Sequence, residues 1–250
     1  MRKLEILNIV KSNKLIAMLF IILIVLTLTT SYYGSSDIGD YADVAKFFAS
    51  EYQAKIRSSH SYMLGFVHAP FVALTESLIV FKITSLIFLF LLLYSIYIIS
   101  GKNKKTFWLS LVSPVVWYMA PWINPIQIAS LLLLWAYYYI DKYNNENSLR
   151  YLIYSALLIG LGWAFWDTIL YFGILLAISF LYNKKSLHLF YYAVFILIGL
   201  IPRLILDQIL FNFAFYTSIK TFISGYVNLV GGIYGASFGH TPKTFFTLLP

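Results

Sequence analysis

The chain has 250 residues, 60% of them hydrophobic and only 11% charged, with a net charge of +8 and a mean hydropathy of +0.78. A soluble domain carries about 25% charged residues, and no water-soluble fold of this size buries so much apolar surface. The Lys and Arg residues punctuate apolar runs instead of clustering, which excludes a nucleic-acid face, and the absence of Cys excludes a disulfide framework, a thiolate cluster and thiol chemistry.

The first apolar run, Leu15 to Thr30, follows Arg2, Lys3, Lys11 and Lys14. It is followed by Tyr32-Tyr33-Gly34-Ser35-Ser36-Asp37, which is not a small-x-small cleavage site, so it reads as a retained signal-anchor helix. Spans of about 20 apolar residues then fall at roughly 78–100, 107–121, 126–141, 151–165, 168–183, 187–203 and 208–224, the first being 13–32. The expected fold is all-α: a polytopic helical membrane domain over 1–224 with about eight spans. A long loop, 33–77, interrupts it, and the glycine-rich segment 225–250 follows. That segment ends in an apolar stretch, Phe245 to Pro250, which reads as the start of a further element of a longer protein.

Basic residues near span ends fall on the cytoplasmic side. With the N-terminus inside, the inner segments carry Lys102, Lys104 and Lys105, then Lys142 and Arg150, then Lys184 and Lys185. The short outer turns at 122–125 and 166–167 carry none. Loop 33–77 is then extracytoplasmic, and Asp37, Asp40, Asp43, Glu51, Glu76, Asp167 and Asp207 gather on that same outer side. Acidic residues have little influence on orientation, so this bias points to a use for carboxylates there. Within the loop, Ala42, Ala45, Phe48, Ala49 and Tyr52 have helical spacing, the pattern of an amphipathic helix on the membrane surface. The segment 62–75 is apolar but interrupted by Gly65, His68 and Pro70, as expected of irregular backbone at the interface.

Three groups of residues are candidates for chemistry. Asp37 and Asp40 sit at the membrane boundary, where a carboxylate can act as general base or hold a divalent cation such as Mg or Mn; the local pattern equally suits a helix cap and a first-turn acid. Arg57, His60 and His68 can neutralise phosphate oxygens, or can be interfacial side chains satisfied by water. Asp167 and Arg203 lie at outer span ends, where ionisable groups are costly; Arg203 and Asp207, four apart, can pair along one helix face.

The order of these features resembles the GT-C superfamily of membrane glycosyltransferases. The resemblance rests on the outer loop opening with Ser36-Asp37-x-x-x-Tyr41 and continuing to His68-Ala69-Pro70. It rests also on the hairpin from Ser113-Pro114 through Asn124-Pro125 to the Leu131–Leu134 run and the Lys142 loop, and on Gly160-Leu161-Gly162. It covers roughly 10–215; where many members carry a Lys or Arg in the later spans, this sequence has Asp167. The resemblance implies sugar transfer, of hexosyl or mannosyl type, from a polyprenyl-phosphate-linked donor to a glycan, lipid or protein acceptor. It implies Asp37 as catalytic carboxylate, with Asp40 as its neighbour, in a multi-pass protein of the cell membrane. From their placement alone, and not from the resemblance, Arg57, His60, His68 and Arg203 would steady the departing phosphate, with Asp167 among the substrate-binding residues. A transporter and a non-catalytic scaffold are the rival classes; the near absence of charge in the middle of the spans speaks against a midplane substrate site.

Overall fold

Turn chemistry divides the apolar runs into helices, and among the described residues there is no strand. The structure is a computed structural model that describes residues 2–33, 38–49, 61–75, 77–182 and 186–231. Asp37, Arg57 and His60 lie outside the described residues.

The helices in chain order are α1 (Arg2–Thr29), α2 (Ile38–Ala49), α3 (Met63–Thr75), α4 (Ile79–Ile99), α5 (Lys104–Leu111), α6 (Pro114–Met119), α7 (Ile126–Glu146), α8 (Leu149–Phe165), α9 (Thr168–Tyr182), α10 (Ser186–Phe211) and α11 (Tyr216–Gly231). Their ends follow from side chains that satisfy or release backbone groups. Gly101 and Lys102 take positive φ after α4, and the Asn103 side chain accepts from the backbone N–H groups of Lys105 and Thr106 to start α5. The run expected as one span over 107–121 breaks at Val112–Ser113, because Pro114 opens α6 at its first turn. Asn147 and Asn212, both left-handed, end α7 and α10.

Two further expectations change. Segment 62–75 is regular helix, α3, with Pro70 inside it. Gly65 serves as a contact point: a Cβ there would lie 2.4 Å from Val44 Cγ1 and 2.9 Å from the Ala45 nitrogen, so α2 and α3 approach backbone to backbone. The break placed between 203 and 208 falls instead at Asn212, and α10 runs on through Arg203 and Asp207. Among the described residues, α4 and α10 are the helices long and apolar enough by themselves to cross a membrane.

Helix α8 is central, packed along α7 on one side and α10 on the other. At the α8–α10 crossing, a Cβ on Gly160 would meet the Ile196 carbonyl oxygen at 2.0 Å, and one on Gly199 would meet the Leu157 oxygen at 2.4 Å. Only glycine on both sides permits so close an approach.

The helices run back and forth, so the turns gather at two ends. At the first end the Ile123 N–H donates to the Tyr33 carbonyl (2.9 Å), Ser85 Oγ donates to the Trp122 carbonyl (3.0 Å), and Ser61 Oγ donates to the Ala164 carbonyl. At the second end the Tyr143 hydroxyl meets His188 Nδ1. Large apolar side chains remain on the perimeter, with Leu74 84%, Leu109 71% and Ile209 70% exposed. Such a surface suits a solvent other than water.

Candidate functional site

The polar groups buried at the first end belong to α2, α8, α10 and α11 and to the turns beside them. At their centre is Arg203, 1% exposed. A guanidinium offers five N–H donors in a planar fork, and four hydrogen bonds to protein acceptors occupy it. Nη1 and Nη2 donate to Asp167 Oδ1 (2.8 Å) and Oδ2 (3.1 Å), Nη1 also reaches the Trp163 carbonyl (3.0 Å), and Nε donates to Thr217 Oγ1 (3.0 Å). Trp163 Nε1 adds a donor to Asp167 Oδ1 (3.1 Å). The sequence offered Asp207 as the partner of Arg203 along one helix; the structure gives Arg203 to Asp167 on the turn between α8 and α9.

Asp207 has a different task. The residues just before α11 are Phe213, Ala214 and Phe215, none of which can cap it. The Asp207 carboxylate, reaching across from α10, accepts the Thr217 backbone N–H (2.9 Å) and the Thr217 hydroxyl (2.7 Å). A carboxylate at that place satisfies an end-of-helix N–H and complements the helix dipole. Thr217 thus accepts from Arg203 and donates to Asp207, which joins the two carboxylates through one guanidinium and one hydroxyl.

Beside this chain lie three groups brought from far apart in sequence. Tyr62, 4% exposed, packs on Phe211 at 5.5 Å, which stacks on Tyr216 at 4.1 Å. Lys220, 8% exposed, holds its ammonium 5.7 Å from the Tyr216 ring centre. Asp40, in the first turn of α2, bears electrostatically on both Lys220 and Tyr62. Burial first, then Tyr216, Asp207 and Asp40, push the Tyr62 hydroxyl above the usual phenol range.

His68 sits elsewhere, 3% exposed, stacked on Phe81 at 4.1 Å. Its Nδ1 lies 2.7 Å from the Leu64 carbonyl and its Nε2 meets Thr84 Oγ1. Desolvation lowers its pKa, against a smaller opposite effect from the Leu64 carbonyl. The structure therefore brings Asp40, Asp167 and Arg203 together at the first end and sets His68 apart from them at that same end, in the packing between α3 and α4.

Two buried cations went unremarked in the sequence, Lys220 and Lys82. Lys82 is 1% exposed in the first turn of α4, donates to the Thr30 carbonyl, and lies 4.0 Å over the Tyr33 ring. The signal was available: a lone Lys in an apolar helix is costly unless it is partnered. Among the described residues no group of three or more His, Asp or Glu is arranged to hold a metal ion. Comparison with protein-family models, with curated proteins and with solved structures finds no match to this chain.

Proposed function

We propose that the chain is a multi-pass membrane glycosyltransferase that moves a sugar from a polyprenyl-phosphate donor to an acceptor hydroxyl at the first end of the bundle. The orientation is N-terminus inside, with the first end facing away from the cytoplasm and the cell membrane as the site of action. Exposed perimeter residues such as Leu109 and Ile209 support a membrane surround, and the basic residues Lys102, Lys104, Lys105, Lys142 and Arg150, in the turns and adjoining helix ends at the second end, support that orientation.

One observation carries the reading: Asp40, from the loop after the first span, lies within electrostatic range of a buried cation, Lys220, and a buried hydroxyl, Tyr62, at the end where Asp167, Arg203 and Asp207 converge. In the proposed step a loop carboxylate, Asp37 or Asp40, takes the proton of the acceptor hydroxyl. The acceptor oxygen forms its bond to the anomeric carbon from the opposite face as the bond to phosphate breaks, and the phosphate departs with the electron pair. Lys220 is the cation within electrostatic range of Asp40 that can receive the new charge on the phosphate. Arg203, with its donors taken up by Asp167, Trp163 and Thr217, acts by positioning α8, α10 and α11. Arg57 and His60 keep their proposed phosphate-binding roles in the same loop, where a Mg or Mn ion would also find its carboxylates; glycan, lipid and protein hydroxyls all fit as acceptors.

The experiment is transfer of radiolabelled sugar from polyprenyl-phosphate donors in membranes holding the chain, with Asp37→Asn, Asp40→Asn and Lys220→Met in parallel. Transfer lost in a carboxylate variant that still inserts and folds is the expected result. Wild-type protein that is folded yet inactive with every donor would reject the reading and favour transport or a scaffold role.

A further inference from the structure

A small cavity lies where α3 and α4 meet the turn leading into α7, bordered by His68, Phe81, Thr84, Asn124 and Gln127 among others. We infer that it is a binding site for a single water molecule, held by Asn124, Gln127 and Thr84, and that this water completes the hydrogen-bond set of His68. The inference stands whether or not the chain transfers sugar.

Backbone groups of fixed polarity set the orientation of both amides. The Ile126 N–H donates to Asn124 Oδ1 (2.7 Å), so the amide nitrogen of Asn124 is the other terminus. Gln127 Nε2 donates to the Met119 carbonyl (2.9 Å), which leaves Oε1 as the other terminus of that side chain. Backbone partners of fixed polarity thus decide both side chains. Asn124 Nδ2 and Gln127 Oε1 are both buried and have no hydrogen-bond partner in the protein. Buried polar groups in native proteins have partners with few exceptions, and here a lone donor and a lone acceptor border the same space.

The chemistry of the pair selects the ligand. A cation would be repelled by the Asn124 N–H, and an anion by the Gln127 carbonyl oxygen. Water both accepts and donates. The space open to the centre of such a molecule is about 10 Å³, which is the room one water needs and no more.

Thr84 supplies the third contact. The Leu64 carbonyl can only accept, so His68 Nδ1 carries a proton. In the neutral ring Nε2 is then a bare acceptor, so the single Thr84 hydroxyl hydrogen goes to it and not to the Val80 and Phe81 carbonyl oxygens, which lie 3.1 and 3.0 Å from Thr84 Oγ1 and already accept within α4. The lone pairs of Thr84 remain for a donor from the cavity. The water accepts from Asn124 Nδ2, donates one hydrogen to Gln127 Oε1 and donates the other to Thr84 Oγ1. Every polar atom from Asn124 to the Leu64 carbonyl then has a partner. The water ties the first-loop helix α3 to α4 and to the turn before α7.

The test is a structure of the full-length protein in lipid nanodiscs at a resolution that shows ordered waters, with ¹⁵N NMR of the His68 ring on the same sample. A peak 2.7–3.2 Å from both Gln127 Oε1 and Asn124 Nδ2, with Nδ1 protonated and Nε2 bare, is expected. Gln127→Met, checked for folding by circular dichroism, should lose the peak. A dry cavity, two amides bonded directly to each other, a peak surrounded by oxygen ligands in the manner of a metal ion, a peak that persists in Gln127→Met, or a proton on His68 Nε2 would each overturn the inference.

Discussion

Arg203 in α10 and Asp167 on the turn between α8 and α9 meet as a two-pronged ion pair, with the arginine side chain 1% exposed and the aspartate 21%. The pair joins the end of α8 to α10. Through Thr217 it also fixes the start of α11, so three helices share one guanidinium.

Removing one partner of a buried pair leaves the other charge uncompensated, at a cost of roughly 3–5 kcal/mol. Arg203→Met is expected to lose stability in that range, measured by thermal or denaturant unfolding in detergent. Arg203→Lys should rescue little, because an ammonium cannot reproduce four contacts set by a planar fork. Asp167→Asn should cost at least as much as Arg203→Met, since it strands the fully buried guanidinium, whereas the carboxylate left behind by Arg203→Met is partly exposed to solvent. The double variant should cost less than the sum of the single ones; strict additivity would mean the pair is not coupled in the folded protein.

The glycine crossing beneath the pair is a second point of control. Gly160→Val and Gly199→Val each put a methyl-bearing carbon where a backbone oxygen already stands, at 2.0 Å and 2.4 Å respectively for the Cβ. Overpacking costs about 1–3 kcal/mol and occasionally more; the upper end is expected, because backbone on the facing helix cannot yield as a side chain can. Comparison with Gly101→Ala separates space from backbone conformation. Gly101 has open surroundings but positive φ, so its cost should be smaller and purely local.

His68 gives a pH dependence of known sign. Burial lowers its pKa in the folded protein, so the unfolded chain binds a proton that the folded chain refuses. Stability should therefore fall as pH drops below the ordinary histidine value of about 6.5, and level off once the folded form also protonates. A melting series from pH 7.5 to 5 compared with His68→Gln checks this. The variant should show a shallower decline, and equal slopes would assign the acid sensitivity to other groups.

The absence of cysteine makes the orientation directly measurable. Thr75→Cys and Lys102→Cys place single thiols on either side of α4. In intact cells a membrane-impermeant maleimide should label the first, and should label the second only after permeabilisation. Labelling of both in intact cells would show that α4 does not separate two compartments.

What was legible in the sequence was whatever depends on neighbours along the chain. The apolar runs, the helix ends marked by Gly101, Asn103, Pro114 and Asn147, and the segregation of basic residues from acidic ones are local patterns. Local side-chain and backbone chemistry fixes them without reference to distant residues. The partner of Arg203 was not legible. Its fourth neighbour, Asp207, is the natural choice when only one helix is considered, yet it is spent on the first turn of α11, a helix whose own approach offers no cap. Asp167 becomes available because Gly160 and Gly199 let α8 and α10 touch, and a long arginine then spans the short remaining gap. The buried roles of Lys82 and Lys220 were hidden for the same reason. A helical sequence shows which residues share a face, but the tertiary packing decides which faces meet, because the acceptors that make a buried charge tolerable come from other helices.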